Sequence, residues 1–218
     1  TKGTFTAVSS TVYTMVITPL SGSGNMTVGV SGGAAQAVSG GFGNTASWLN
    51  TQAYSVAPVV MDLNQDGQLS YSQVVMDVDD DGHLDQTAWA GPQDGVLLHD
   101  RYGDGSVRSS SQFAFARTAG ETDLQGLAAQ LDGNQDGLFD AYDTNFSEFG
   151  VWQDSNQNGV ADAGEVRSLA ELGITSLNLS SDGVVRTPAP AVTEAGQTIA
   201  TLTDGSSMLA DDVSVNVS

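Results

Sequence analysis

The sequence predicts an α+β, β-rich fold: short strands and a few short helices set around several EF-hand-like calcium loops, preceded by an N-terminal β segment. Three observations carry this. Five times the chain writes an acid, a spacer, an oxygen-bearing residue, a spacer, Asp (Tyr-Gly-Asp in one case) or Asn, then Gly: at Asp62–Gly67, Asp77–Gly82, Asp100–Gly105, Asp132–Gly137 and Asp154–Gly159. Apolar runs of three to six residues lie between these strings, the length and composition of strands. Only two stretches, 124–131 and 165–172, show helical apolar spacing.

Residues 1–56 read as a β-rich segment of their own. They hold a single charged residue, Lys2, and are rich in Thr, Ser, Gly and Val. Phe5-Thr6-Ala7-Val8, Val12 to Ile17 and Met26 to Val30 are strand candidates broken by Gly/Ser turns. From Pro58 the pattern changes to Val59-Val60-Met61, Gln73 to Met76 and Val96 to His99 as strands alternating with acidic turns. Leu124 to Leu131 and Glu165 to Leu172 are expected helices, with Gly173 stopping the second before a strand over Ile174 to Leu179. Residues 187–218 return to alternating β pattern around Gly196 and Gly205. The division is therefore 1–56 and 57–218, the acidic calcium-binding module, with packing of 1–56 into the main domain as the alternative.

The net charge is −20, and 16 of the 26 acids lie in the five twelve-residue loops. Calcium takes six to eight oxygens, and an EF-hand-type loop offers them at positions 1, 3, 5, 7, 9 and 12 with Gly at 6. Without metal such carboxylates repel one another at short range, so folding is expected to be coupled to binding of about four to five Ca2+. With six cations the chain is a poor partner for nucleic acid or an anionic membrane. No run spans a bilayer, no signal peptide is present, and the start at Thr1 reads as a piece of a larger protein. The absence of cysteine removes disulfides, and His83 and His99 lack partners for a catalytic zinc.

The loops differ in completeness. Asp154, Asn156, Asn158, Val160 (through its carbonyl), Asp162 and Glu165 form a full ligand set. Asp132, Asn134, Asp136, Leu138 (carbonyl), Asp140 and Asp143 are nearly equal to it, and the two loops are expected to pair over Phe146, Phe149 and Trp152. The second loop supplies Asp77, Asp79, Asp81, His83 (carbonyl) and Asp85 but ends in Ala88; the first supplies Asp62, Asn64, Asp66 and Gln68 (carbonyl) and ends in Gln73. Both need a ligand from elsewhere, for which Asp94 is the candidate. The alternative for these two is a plain Asx-type turn. The Asp100 loop is least complete: it has Asp100, Asp104 and Ser106, but Tyr102 at position 3 and Ser111 at position 12. An open coordination position there would suit an acceptor from a partner, with Arg101 or Arg108 adding a charge-assisted contact and Tyr102 a stacking surface.

Laid end to end, residues 58–218 resemble the self-processing, calcium-binding module of large RTX proteins exported by Gram-negative bacteria. The resemblance rests on Val60-Met61-Asp62, Asp66-Gly67, Asp77 to Gly82, Trp89, Asp94 to Leu97, Asp100, Leu131 to Gly137, Val151 to Asp154, Gly164-Glu165, Leu169 to Ile174, Thr203 to Ser206 and Ala210 to Val213. It implies calcium-triggered cleavage of an Asp-Pro bond before the first loop, but here that dipeptide is Ala57-Pro58 and no Asp-Pro occurs. The segment also resembles the peptide-binding domains of giant RTX adhesins. That implies a non-enzymatic, extracellular module, exported by type I secretion, that binds peptide or protein termini on another cell in attachment and biofilm formation. Residues 1–56 weakly resemble the end of a bacterial Ig-like repeat, one of the neighbouring domains of such an adhesin. The alternatives are a self-processing protease and transpeptidase, and a calcium-stiffened spacer.

Overall fold

The computed structural model describes residues 55–216 except 79, 81 and 119, together with four earlier strand segments. Those four are β1 (Phe5–Ala7) paired with β2 (Tyr13–Met15), and β3 (Thr27–Val30) paired with β4 (Ser47–Asn50). β1, β2 and β3 fall within the sequence-predicted strands, β4 was not expected, and the rest of the expected Ig-like segment lies outside the described residues.

The remaining strands are β5 (Ser55–Val56), β6 (Val59–Met61), β7 (Tyr71–Met76), β8 (Asp85–Ala90), β9 (Gly95–His99), β10 (Leu138–Asp140), β11 (Phe149–Trp152), β12 (Val166–Ser168), β13 (Ile174–Asn178), β14 (Arg186–Ala189), β15 (Val192–Leu202) and β16 (Ser207–Asn216). Ten of them form one curled antiparallel sheet in the order β10-β13-β15-β16-β6-β9-β11-β12, with β14 on β15 and β5 on β16. β7 and β8 form a separate hairpin.

This corrects the predicted fold class. The described residues contain one α-helix, α1 (Asp123–Leu131), and two 3-10 turns, so the architecture is mostly β. The acidic turns join strand to strand, strand to 3-10 turn or helix to strand, not helix to helix, so the EF-hand-like arrangement is absent. The helix expected over 165–172 is β12 followed by a turn. Val166 pairs with Trp152, and Gly173 (φ 70°) ends the turn as Leu169 accepts from Ile174. Leu169 still reaches the core, which is why its spacing imitated a helix.

Both faces of the central strands are buried, so they read as continuous apolar runs instead of alternating ones. Val60, Val96, Leu98, Trp152 and Val213 face a core with Trp89 and Phe113 beneath the β7–β8 hairpin. Val59, Met61, Leu97, Val151 and Phe149 face the opposite core, covered by Leu124 and Leu127 of α1 with Phe115 and Phe139. The helix begins at a capping box in which Thr122 accepts from Gln125 N–H and the Gln125 side chain accepts from Thr122 N–H. No helix among the described residues is long and apolar enough to cross a membrane.

Candidate functional site

The five turns share one backbone design. Each opens with an Asp whose carboxylate accepts the N–H of the Gly at position 6: Asp62 from Gly67 at 2.8 Å, Asp77 from Gly82 at 3.0 Å, Asp100 from Gly105 at 3.0 Å, Asp132 from Gly137 at 3.1 Å and Asp154 from Gly159 at 2.9 Å. Position 4 is left-handed in all five (Gln65, Asp80, Gly103, Gln135 and Gln157), as is the closing Gly. Two left-handed positions, 4 and 6, that L side chains seldom enter bend the chain back so that its N–H groups reach the carboxylate at position 1. In the last two turns the acid at position 12 closes the ring: Asp143 accepts from Gly133 and Asp140, and Glu165 from Ser155 and Asp162.

Among the described residues no three His, Cys, Asp or Glu side chains gather closely enough to hold a metal by themselves. Asp79 and Asp81 of the second turn lie outside them. A hard cation at these turns would draw as well on the Asn64, Asn134, Asn156 and Asn158 amides and on carbonyls such as those of Gln68, His83, Leu138 and Val160. The first turn offers one feature that suits a cation. Asp94, 2% exposed, stands beside it and accepts from Ser70 N–H and Oγ at 2.9 and 2.6 Å, while its Oδ1 has no hydrogen-bond partner. Burial raises its pKa, and the charges of Asp62 and Asp66 push in the same direction. An orphaned buried carboxylate oxygen beside two more carboxylates is a donor set that suits a hard cation.

The Asp132 and Asp154 turns are not brought together as expected. The Asp154 turn docks on the β7–β8 hairpin: Gln157 bonds to Ser72 and to the Ala90 carbonyl, and a Cβ at Gly159 would lie 2.7 Å from the Val75 carbonyl oxygen. The aromatic residues divide, Phe146 and Phe149 packing on Phe139, and Trp152 on Trp89 and Phe113.

The Asp100 turn forms one wall of a cleft of about 860 Å3. Asp100, Arg101, Tyr102, Asp104 and Ser106 face Ser147 to Gly150, the 161–164 segment, Val166, Ser168 and Glu171. The Arg108 guanidinium lies 4.0 Å from the centroid of the Tyr102 ring and 2.5 Å from the Asp104 carboxylate, which joins three of the sequence-predicted ligand residues in one surface. Ser106 bonds hold the Asp104 pKa below the usual carboxylate range, and Ser168 does the same for Glu171. Bonds from Asn156 and Asn158 lower Asp162. At the cleft edge the His99 ring stacks on Phe149 with centroids 4.5 Å apart, bonds Glu148 at 2.9 Å, and receives Arg101 Nε on its other nitrogen. Arg101 also donates to the Ser111 carbonyl.

Glu148, Phe149, Val166 and Glu171 were not singled out from the sequence as ligand contacts. They reach the cleft only because β11 folds back beside β9, and no local pattern announces that pairing. A smaller pocket of about 300 Å3 adjoins, walled by Asp80, Arg108 and Val160 over Phe113 and Trp152. Asp80, a spacer in the ligand pattern, accepts from Ser109 and Ser110 and ties the second turn to the third.

Ala57-Pro58 lies between β5 and β6, both paired with β16, and the Pro58 carbonyl accepts from Val213 N–H at 3.1 Å. Asp211 and Asp212 are the strand residues opposite Val60 and Val59. Asp212 accepts from the first N–H groups of α1, and Asp211 lies with Glu194 and Tyr71 on the other face.

Residues 59–216 match the family model described as the SPM domain. The iron-regulated protein FrpA of Neisseria meningitidis serogroup C is similar to this chain, 32% identical over 166 residues. That alignment covers 72% of the chain and 15% of FrpA, so the chain spans 15% of that relative's length.

Proposed function

The chain belongs to the SPM domain family, and from that premise we propose that it is a calcium-stabilised ligand-binding module of an exported RTX-type adhesin, holding the end of a peptide or protein on a target cell surface. The likeness to FrpA supports the exported, RTX-family setting. The observation that carries the binding role is the cleft itself: the turn least able to complete a ligand shell lines a cavity of about 860 Å3, within the size range of ligand sites.

Calcium would be held by Asp62, Asn64, Asp66 and Asp94 at the first turn, and by Asp132 to Asp143 and Asp154 to Glu165 at the fourth and fifth. At the third turn Asp100, Asp104 and Ser106 would hold it and leave room for an outside acceptor. Its chemistry there is attraction of a carboxylate oxygen. The chain's own residues do the rest. Tyr102 and Arg108 present a flat, cationic surface, Arg101 stands at the edge, and the bonds to Ser106 keep Asp104 ionised. The self-cleaving alternative gains nothing from Ala57-Pro58, which has no carboxylate at the position that would attack and a carbonyl engaged in the sheet.

Binding of peptides with free and amidated C-termini, in calcium and in EDTA, tests this reading, with circular dichroism showing that the fold survives. Loss of affinity on amidation and on calcium removal is expected. Equal binding of both peptides by a folded, calcium-free chain would refute it.

A further inference from the structure

The sheet ends at β12, whose only strand partner among the described residues is β11. Gln153 N–H donates to the Glu165 carbonyl at 2.8 Å and Leu169 N–H to the Phe149 carbonyl at 3.1 Å. Residues 165, 167 and 169 therefore turn their main-chain groups toward β11, and the alternate residues 166 and 168 turn theirs outward. Ser168 is occupied: its N–H donates to Glu171 at 2.8 Å and its carbonyl accepts from Leu172. The outward N–H and C=O of Val166 have no bond to any described residue. Val166 lines the cleft, and across from it Gly105 offers no side chain; a Cβ there would come within 3.5 Å of the Val166 Cβ.

An open main-chain donor and acceptor at a sheet edge suits the backbone of another extended segment. Acids outnumber cations around it. Glu148 and Glu171, which no turn claims for calcium, line the cleft together with Asp100, Asp104 and Asp162 of the turns. Of the three arginines nearby, Arg108 is paired with Asp104, while Arg101 is held by Ser111 and His99 and Arg167 by Gln153. We propose that the cleft takes its peptide as an added strand, paired through the main chain to the outer edge of β12 at Val166, and favours segments that carry lysine or arginine. This rests on the peptide-binding reading above and adds to it the binding mode and the side-chain class. A single rung at Val166 orients the peptide, and side chains alternate along it, every second one toward the carboxylates.

The probes are fluorescein-labelled Ala-Lys-Ala-Lys-Ala, its Glu counterpart, and a series of the Lys peptide N-methylated at each residue in turn, read by anisotropy with the calcium-loaded chain. Val166→Pro removes the outward N–H and leaves the ladder to β11 intact. It is expected to weaken the Lys peptide about fivefold to tenfold, the worth of one main-chain hydrogen bond. N-methylation should cost as much at one position only, the residue whose N–H meets the Val166 carbonyl, a readout that does not depend on the variant folding, and the Glu peptide should bind at least tenfold more weakly. If the Lys peptide binds but N-methylation at every position leaves it unchanged, strand addition is overturned while peptide binding stands. Equal affinity of the Glu peptide would overturn the preference for basic side chains. Absence of binding by every peptide would overturn this proposal together with the reading beneath it.

Discussion

Asp211→Asn should remove one distinct part of the pH dependence of stability, the part built into the Asp211–Glu194 pair on the central strands. Asp211 is 2% exposed on β16. Around it stand Glu194 from β15, Tyr71 from β7 and, bonded to Glu194, Arg186 from β14. Burial, and then the hydrogen bond and charge of Glu194, push its pKa up to about 7 from 3.8. The folded chain thus keeps a proton that the unfolded chain has released, so stability falls as pH rises from about 4 to about 7 and levels off above. At about 1.4 kcal/mol per decade of proton affinity, the span amounts to roughly 4 kcal/mol, of which about 2–4 should be seen as the site relaxes. An Asn side chain can donate to Glu194 as the protonated acid does, but it cannot ionise. Urea unfolding of both proteins at saturating calcium, from pH 4.5 to 8, gives the difference curve. Wild type should lose 2–4 kcal/mol relative to the variant as pH rises. Parallel curves would refute the shared-proton account.

Gly126→Ala should destabilise the chain despite the roughly 1 kcal/mol that Ala gains in a helix, because the new Cβ would sit 2.3 Å from the Phe115 carbonyl oxygen; a net loss of about 1–3 kcal/mol by urea unfolding is expected, and a gain would contradict the packing. Asp94→Asn should sharply reduce the rise in Tm that calcium produces, since it replaces a charged oxygen donor beside Asp62 and Asp66 with a neutral amide; thermal melts with and without calcium check this, and an unchanged calcium shift would exclude Asp94 from the ion's surroundings.

The acidic turns were legible because their information is local. A carboxylate at position 1, a left-handed position 4 and a Gly at 6 are all encoded within six residues, and the bonds of Asp62, Asp100, Asp132 and Asp154 follow from them. The placement of Asp94 was legible for a different reason: it had no other evident use, and it does lie against the first turn. What surrounds the turns was not legible. Apolar spacing over 165–172 imitates a helix, yet the bonds that decide the matter run from Val166 to Trp152 and from Gln153 to Glu165, across a turn. Asp123 looks like a surface acid; it is fully buried at the start of α1, where burial drives its pKa well up and the Ala116 N–H is its partner. β8 went unnoticed, because Asp85-Gln86-Thr87 carries no apolar run, although Thr87 to Ala90 are buried. Strand pairing joins residues far apart in sequence, and one chain read alone carries no record of it.

β16 is both the middle of the sheet and the last-made of its described strands, lying between β15 and β6. During synthesis the ribosome therefore releases β6, β9 and β11 with the β6 edge bare, and only residues 207–216 supply the strand that joins them to β15. A truncation before residue 207 would leave two half-sheets prone to pairing with other chains, and a nascent chain has every reason to be held unfolded until that strand has emerged.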